Sequence, residues 1–134
     1  MLAYGFADDI GMDVETVRDG YDPEMILRRY FSAAESAEWA GLPPDDRVRG
    51  FFRAWTRKEA ILKATGLGIA GLEQFEVSFA PKNRKALRKQ HQVPGAEEIW
   101  WFADFEPEIG YLASVTAPFF FEIPTVSRFE TAGE

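Results

Sequence analysis

The sequence predicts one α+β domain over residues 1–134, with a long helix packed against a mostly antiparallel sheet. The helix is indicated by apolar residues at helical spacing ahead of Gly66, among them Phe51 and Trp55. The segment Glu106–Gly110 combines Pro and Gly and is typical of a hairpin turn between antiparallel strands. The length fits a single domain with a modest core. Three later strands are predicted near 73–80, 98–106 and 110–118.

The composition indicates a folded chain and excludes several functions. Hydrophobic residues make up 46% and aromatic residues 15% of the sequence, which is too apolar for a disordered chain. The absence of cysteine excludes disulfide and thiolate chemistry. A formal net charge of −7 argues against general nucleic-acid binding. No apolar run approaches the ~20 residues of a membrane span and no secretory signal is visible, so we expect a soluble cytoplasmic protein.

The first fifteen residues predict a hairpin whose second strand carries acidic residues. Leu2–Phe6 form the first strand, Ala7–Asp9 the turn and Ile10–Glu15 the second strand. Apolar residues alternate along the second strand, so Asp13 and Glu15 are expected to project from the same face. This face is either the solvent side of an edge strand or a site where a cation relieves the repulsion between the carboxylates.

The helices have recognisable start signals. Asp22 is the expected N-cap of a short helix. Ser32 and Glu35 form the Ser-x-x-Glu pattern of a capping box, which predicts a second helix. Asp45 or Asp46 is expected to cap the long helix.

Within the long helix, Glu59 falls inside the apolar stripe, and Lys58 and Lys63 fall at its two edges. A carboxylate facing a core is costly unless a cation or hydrogen bonds hold it. One interpretation is an ordinary ion pair between Glu59 and Lys63 at i,i+4, which contributes about 0.2–0.5 kcal/mol. The other is a site in which the carboxylate binds a metal and the lysines bind phosphates. Together with Asp13 and Glu15, Glu59 would supply oxygen ligands of the kind that magnesium prefers.

These motifs resemble the signatures of the 4′-phosphopantetheinyl transferases, which are a Gly-x-Asp-x-Glu strand and a Trp-x-x-Lys-Glu-x-x-x-Lys helix. The chain carries them as Gly11–Glu15 and Trp55–Lys63. Weaker similarities to the family lie at Tyr30–Glu35, Gly66–Gly68, Phe75–Val77 and Gly110–Ala113. The resemblance therefore runs over nearly the whole chain, and it implies the fold of that family.

The resemblance also implies a reaction. It is the Mg2+-dependent transfer of 4′-phosphopantetheine from coenzyme A to a serine of an acyl or peptidyl carrier protein. Asp13, Glu15 and Glu59 would hold the metal, and Lys58 and Lys63 the phosphates. The serine proton would pass to Glu59, to Glu35 or to a metal-bound water, and the resemblance does not choose among them.

The motifs and the length of the chain indicate different classes of this transferase family. The motif wording resembles the second half of the larger Sfp-type enzymes, whereas 134 residues is the length of a holo-acyl-carrier-protein synthase, which assembles from several copies. We expect a homo-oligomer with the site near the subunit boundary. The alternative is a non-catalytic half or partner subunit that needs another chain to complete the site. A third, weaker alternative is a metal-dependent enzyme acting on another phosphorylated small molecule.

Three surface features have both an ordinary and a functional interpretation. The basic stretch Lys82–His91 is a solvated hairpin tip or a docking patch for an acidic carrier protein or for the 3′-phosphate of coenzyme A. Arg18, Arg28 and Arg29 form a weaker candidate patch. Phe119–Phe121 cannot all point inward, so part of this segment is expected to cover a partner surface.

Overall fold

A computed structural model describes residues 10–88 and 98–122, in which helices lie against one antiparallel sheet as the α+β prediction requires. The helices of this part are α1 (Glu24–Tyr30), α2 (Ala33–Ala40) and α3 (Arg47–Thr65). The strands are β1 (Gly11–Thr16), β2 (Phe75–Glu76), β3 (Lys85–Arg88), β4 (Glu98–Phe105) and β5 (Tyr111–Ala117). Short 3₁₀ turns at Pro44–Asp46 and Ile69–Gln74 precede α3 and β2.

The sheet has the strand order β1-β5-β4-β3-β2, and neighbouring strands in it are antiparallel. Among the described strands β1 lies at one edge, β5 lies next to it, and β4 follows β5. The register places Asp13 of β1 opposite Ser114 of β5, and Ser114 opposite Asp104 of β4. Directly opposed residues project to the same face of a sheet, so these three polar side chains form one row across it.

The long helix α3 lies across β1 and β5. Gly11 allows the close approach, because a Cβ at this position would lie 2.0 Å from the carbonyl oxygen of Ala60 and 2.9 Å from the Cβ of Ala64. A larger residue would push β1 away from α3 and move Asp13 with it. The core beneath the helix is largely aromatic, and its members include Phe51, Phe52, Phe75, Phe79, Trp100 and Phe102.

The helix starts follow the capping predictions in part. Ser32 and Glu35 form the predicted capping box, since the side chain of each accepts a hydrogen bond from the backbone N–H of the other. The assignment of Asp22 as the N-cap of α1 is wrong, because Pro23 occupies that position. The Asp22 carboxylate still accepts from the first N–H of the helix, at 3.1 Å. Asp46 takes the N-cap position of α3, although its side chain makes no capping hydrogen bond.

The strand predicted over 73–80 is wrong beyond the two residues of β2. After β2, side chains rather than a neighbouring strand take the backbone hydrogen bonds. The N–H of Val77 donates to Glu35 at 2.9 Å, and the N–H of Phe79 donates to Glu38 at 3.2 Å. Carboxylates of α2 therefore anchor this segment and replace a strand ladder there.

The other strand predictions have mixed outcomes. The strands expected near 98–106 and 110–118 are confirmed as β4 and β5. Sequence reasoning missed β3, because the basic residues from Lys82 onward indicated a solvated hairpin tip. The strand expected at Leu2–Phe6, and His91 in the basic stretch, lie outside the described residues. Within 10–88 and 98–122, no helix is both long enough and apolar enough to cross a membrane.

Candidate functional site

Three carboxylates and one lysine come together where β1 lies against α3. Asp13 and Glu15 project from the same face of β1, as the alternation predicted, and this face meets the helix. Glu59 and Lys63 come from the last two turns of α3. The charges of Asp13, Glu59 and Lys63 all act on the carboxyl group of Glu15. The structure thus brings together four of the six side chains that the sequence analysis singled out.

The protonation of this cluster is shifted by burial and by its own charges. Burial raises the pKa of Glu15 to about 7, and the negative charges of Asp13 and Glu59 add to that rise. Burial also raises the pKa of Glu59, followed by the charge of Asp13. Lys63 opposes both shifts with its positive charge. The cluster therefore carries more negative charge than its surroundings stabilise, which is the condition that a proton or a cation relieves.

Asp13 has one oxygen that is used and one that is not. The Nζ of Lys63 donates to Oδ1 at 2.6 Å, whereas Oδ2 is buried and no N–H or hydroxyl group of the described residues donates to it. Ser114 lies opposite Asp13, but its hydroxyl donates to Asp104 instead. A buried carboxylate oxygen without a donor is rare in proteins and indicates a missing proton, water or ion.

The donor set of the cluster fits a hard divalent cation. All three candidate ligands are carboxylates, and the orphaned oxygen of Asp13 is available to such an ion. In the observed arrangement, however, residues 10–88 and 98–122 hold no group of three His, Cys, Asp or Glu side chains close enough together to enclose a metal. The ammonium of Lys63 lies against Asp13 in this arrangement. Metal binding would therefore require a local rearrangement of side chains.

The other two singled-out side chains, Lys58 and Glu35, form a separate buried pair. The Nζ of Lys58 donates to Oε1 of Glu35 at 2.8 Å and to the carbonyl oxygens of Tyr30 and Leu72. Glu35 also accepts from two backbone N–H groups, those of Ser32 and Val77. The side chains of the pair are 1% and 3% exposed. The expectation that Lys58 lies at the edge of the apolar stripe is wrong, because its ammonium is enclosed by these oxygens.

A third polar group in the interior was not anticipated from the sequence. The side chain of Arg57 is fully buried and donates to both carboxylate oxygens of Asp104. It also donates to three backbone carbonyls in the segment after β2, those of Ser78, Ala80 and Asn83. Asp104 interrupts the apolar run from Ile99 to Phe105 in β4, and this was the signal in the sequence that could have revealed the pair.

Comparison with known proteins places the chain in a family. The model of the 4′-phosphopantetheinyl transferase superfamily matches residues 9–114. The transferase HetI of Nostoc sp. is 33% identical over 115 residues, which are 86% of this chain and 46% of that protein. The transferase psf-1 of Bacillus pumilus is 33% identical over 67% of this chain and 40% of its own length. A 4′-phosphopantetheinyl transferase of Bacillus subtilis is 25% identical over 81% of this chain and 46% of its own length. The chain thus spans less than half the length of these relatives.

Proposed function

The chain belongs to the 4′-phosphopantetheinyl transferase superfamily, and we propose that it transfers 4′-phosphopantetheine from coenzyme A to a serine of an acyl or peptidyl carrier protein. The observation that carries the proposal is the cluster of Asp13, Glu15, Glu59 and Lys63. It combines a buried carboxylate oxygen without a donor, two carboxyl groups of raised pKa and a half-exposed ammonium. This combination suits a ligand that carries both a metal and phosphates.

Asp13, Glu15 and Glu59 would hold the divalent cation, for which we propose Mg2+. The ion, when bound, supplies positive charge to the oxygens of the coenzyme A pyrophosphate. Lys63 is half exposed and extends from the last turn of α3, so its ammonium can reach a phosphate oxygen. Glu59, which is partly buried beside Asp13, or a water at the metal would accept the proton of the attacking serine hydroxyl.

Lys58 and Glu35 would act as positioning residues. Their side chains are buried and hold one another and the backbone of α1, α2 and the segment after β2. The ammonium of Lys58 cannot reach a ligand without leaving Glu35 and the two carbonyl oxygens. Since Lys58 precedes Glu59 on α3, the pair fixes the helix and thereby the direction from which Glu59 enters the carboxylate cluster.

The docking surface for the carrier protein is proposed to lie beside α1. Arg28 and Arg29 are exposed there and border a cleft of about 580 Å3 that also includes residues of the Ile69–Gln74 turn. Met25, on the same helix, is also exposed, with its apolar side chain in solvent, and Glu24 forms an exposed ion pair with Arg28 at 3.5 Å. Two guanidinium groups beside an apolar side chain suit an acidic amphipathic partner.

We further propose that a second copy of the chain completes the site. Val14 on the edge strand β1, together with Phe119 and Phe120 after β5, exposes apolar surface that a partner would cover. Burial of such surface stabilises an interface by about 25 cal/mol per Å2. The alternative, a non-catalytic half that depends on a different chain, rests on the short span of the chain relative to its relatives.

Mass spectrometry tests the proposal directly. Apo carrier proteins of the acyl and peptidyl types are incubated with the chain, coenzyme A and Mg2+, and a mass gain of one phosphopantetheine arm is expected. The gain should disappear with Asp13→Asn or when the metal is chelated, and it should remain with Glu108→Gln, an exposed carboxylate in the turn before β5. No gain with any carrier, while the chain sediments as a monomer, would favour the non-catalytic alternative.

A further inference from the structure

We propose that Lys63 and the divalent cation compete for the carboxylate of Asp13, so that the metal-free chain holds its own ammonium at this carboxylate. This inference rests on the proposed metal site and deepens it. It assigns Lys63 two successive partners, Asp13 before the metal binds and the phosphates of the ligand afterwards. Lys63 thereby couples the binding of metal and phosphate.

The geometry of the pair carries the first step. The Nζ of Lys63 donates to Oδ1 of Asp13 at 2.6 Å, which is short for a hydrogen bond between an ammonium and a carboxylate. The Asp13 side chain is only 7% exposed, so few positions around its carboxylate are open. The ammonium of Lys63 occupies the position at Oδ1, and the second oxygen, Oδ2, is buried.

Electrostatics carries the second step. A divalent cation at Asp13 and an ammonium within hydrogen-bond distance of the same carboxylate repel each other, and this repulsion is strong in a partly buried site. The carboxyl groups of Glu15 and Glu59 stand on the same side and attract whichever cation is present. The metal ion and the ammonium of Lys63 therefore cannot both bind closely to the carboxylate of Asp13.

The freedom of Lys63 carries the third step. Its side chain is 54% exposed, and among the described residues it forms an ion pair with Asp13 alone. Once displaced, the ammonium stays beside the cluster, where phosphates bound to the metal would lie. A phosphate ligand that takes the ammonium removes the competitor, so metal and phosphate should each raise the affinity for the other.

The test measures the binding of Mn2+ alone to the free chain by electron paramagnetic resonance of the unbound ion. Lys63→Met keeps the length of the side chain and removes the charge, and we expect it to bind Mn2+ about tenfold more tightly than the unmodified chain, which corresponds to about 1.4 kcal/mol. Lys63→Arg keeps the charge and the donors and should bind Mn2+ as weakly as the unmodified chain. Lys82→Met is the matched control, because it removes the same charge from an exposed position in the segment before β3.

Added coenzyme A provides the second measurement. It should tighten Mn2+ binding in the unmodified chain and do so much less in Lys63→Met, because the competitor is already gone. Nitrogen NMR of the lysine ammonium groups follows the displacement itself. A signal that is absent from Lys63→Met should be present in the metal-free chain and should shift or broaden on addition of Mg2+.

The outcomes separate this inference from the proposed function. Equal Mn2+ affinity in Lys63→Met and the unmodified chain, both abolished by Asp13→Asn, would overturn the competition and leave the metal site intact. Equal tightening by Lys82→Met would also overturn it, because net charge alone would then explain the effect. Absence of any Mn2+ binding that depends on Asp13, in every variant, would overturn the metal site and the competition with it. Thermal unfolding of each variant confirms that the comparison is made on folded chains.

Discussion

Two lysine–carboxylate pairs share the helix α3, and they differ in what surrounds them. Lys58 lies 2.8 Å from Glu35, and Lys63 lies 2.6 Å from Asp13. In the first pair both side chains are buried, and Glu35 uses both of its oxygens on donors of the chain. In the second pair the lysine is half exposed, and one oxygen of Asp13 has no donor.

The difference shows that a short ion-pair distance does not by itself distinguish a structural pair from a chemical one. What distinguishes them is whether the hydrogen-bonding capacity of each group is used within the chain. In the Lys58–Glu35 pair, the ammonium and both carboxylate oxygens are engaged by groups of the chain, so the contribution of this pair is to the fold. The Lys63–Asp13 pair keeps both a donor-free oxygen and a mobile ammonium, so it can exchange partners.

The largest expected effect comes from breaking the buried pair. Lys58→Ala leaves the carboxylate of Glu35 buried without its cation, and removal of one member of such a pair costs about 3–5 kcal/mol in the free energy of unfolding. Lys63→Ala breaks the Lys63–Asp13 pair, called the open pair because its lysine is half exposed, and should lower the free energy of unfolding by less than about 1 kcal/mol. Urea unfolding monitored by tryptophan fluorescence gives both values.

A double variant sharpens this contrast. Lys58→Met combined with Glu35→Gln removes both charges, and part of the stability lost in Lys58→Met alone should return because no unpaired charge remains. If Lys58→Ala and Lys63→Ala proved equally mild, the division into a closed and an open pair would be mistaken.

The next effect concerns metal-dependent ligand binding. Asp13→Asn keeps the size of the side chain but weakens its interaction with a cation. We expect Mg2+-dependent coenzyme A affinity to fall at least about a hundredfold, which exceeds the loss typical of residues that only hydrogen-bond to a metal ligand. The free energy of unfolding without metal should change little. Isothermal titration calorimetry with and without Mg2+ measures the first quantity. An unchanged affinity would remove Asp13 from the proposed site.

A smaller effect should separate the phosphate from the rest of the ligand. At saturating Mg2+, Lys63→Ala should weaken coenzyme A about tenfold to a hundredfold, because a charged hydrogen bond contributes about 1.5–3 kcal/mol. Pantetheine, which lacks the phosphates, should bind both forms equally. If both ligands weakened to the same degree, Lys63 would serve the helix rather than the phosphates.

Local patterns in the sequence predicted the parts of the site that depend on one element. The alternation along β1 placed Asp13 and Glu15 on one face, and Ser32 and Glu35 predicted their capping box. The meeting of β1 with Glu59 of α3 was one of two interpretations of the carboxylates, and the family resemblance favoured it. A contact between residues so distant in sequence has no local signal that would have decided between them.

The wrong predictions share one physical cause: side chains from elements distant in sequence form hydrogen bonds that local patterns do not indicate. The helical wheel put Lys58 at an edge, but α3 is covered on several sides and Glu35 of α2 draws the lysine inward. The strand expected over 73–80 was lost after β2 because Glu35, Glu38 and Arg57 bond its backbone. Neither event can be derived from propensity or periodicity, since both depend on how α2 lies against the sheet.

The smallest effect tests the carboxylate cluster around the Lys63–Asp13 pair through the pH dependence of stability. The pKa of Glu15 is raised from 4.5 to about 7 in the folded chain, so the folded form keeps a proton that the unfolded form has released between these values. The contribution of this group to stability is therefore complete below pH 4.5 and is lost as the pH rises through 7. In the metal-free chain the melting temperature should fall over this range. The fall should be a few degrees at most, because the carboxyl is partly exposed to solvent. A change of about 1 kcal/mol in the free energy of unfolding corresponds to several degrees.

A variant and a metal ion isolate Glu15 from the other carboxyl groups that titrate in the same range. Glu15→Gln cannot release the proton and should show a flatter dependence of melting temperature on pH. Mg2+ should stabilise the unmodified chain more at pH 8 than at pH 5, because the ion replaces the proton that the cluster has lost. Differential scanning calorimetry of both forms, with and without Mg2+, provides the measurement. The same pH dependence in Glu15→Gln and the unmodified chain, or equal stabilisation by Mg2+ at both pH values, would contradict this prediction. Negative charge on the carboxylate cluster would then not be what attracts the cation.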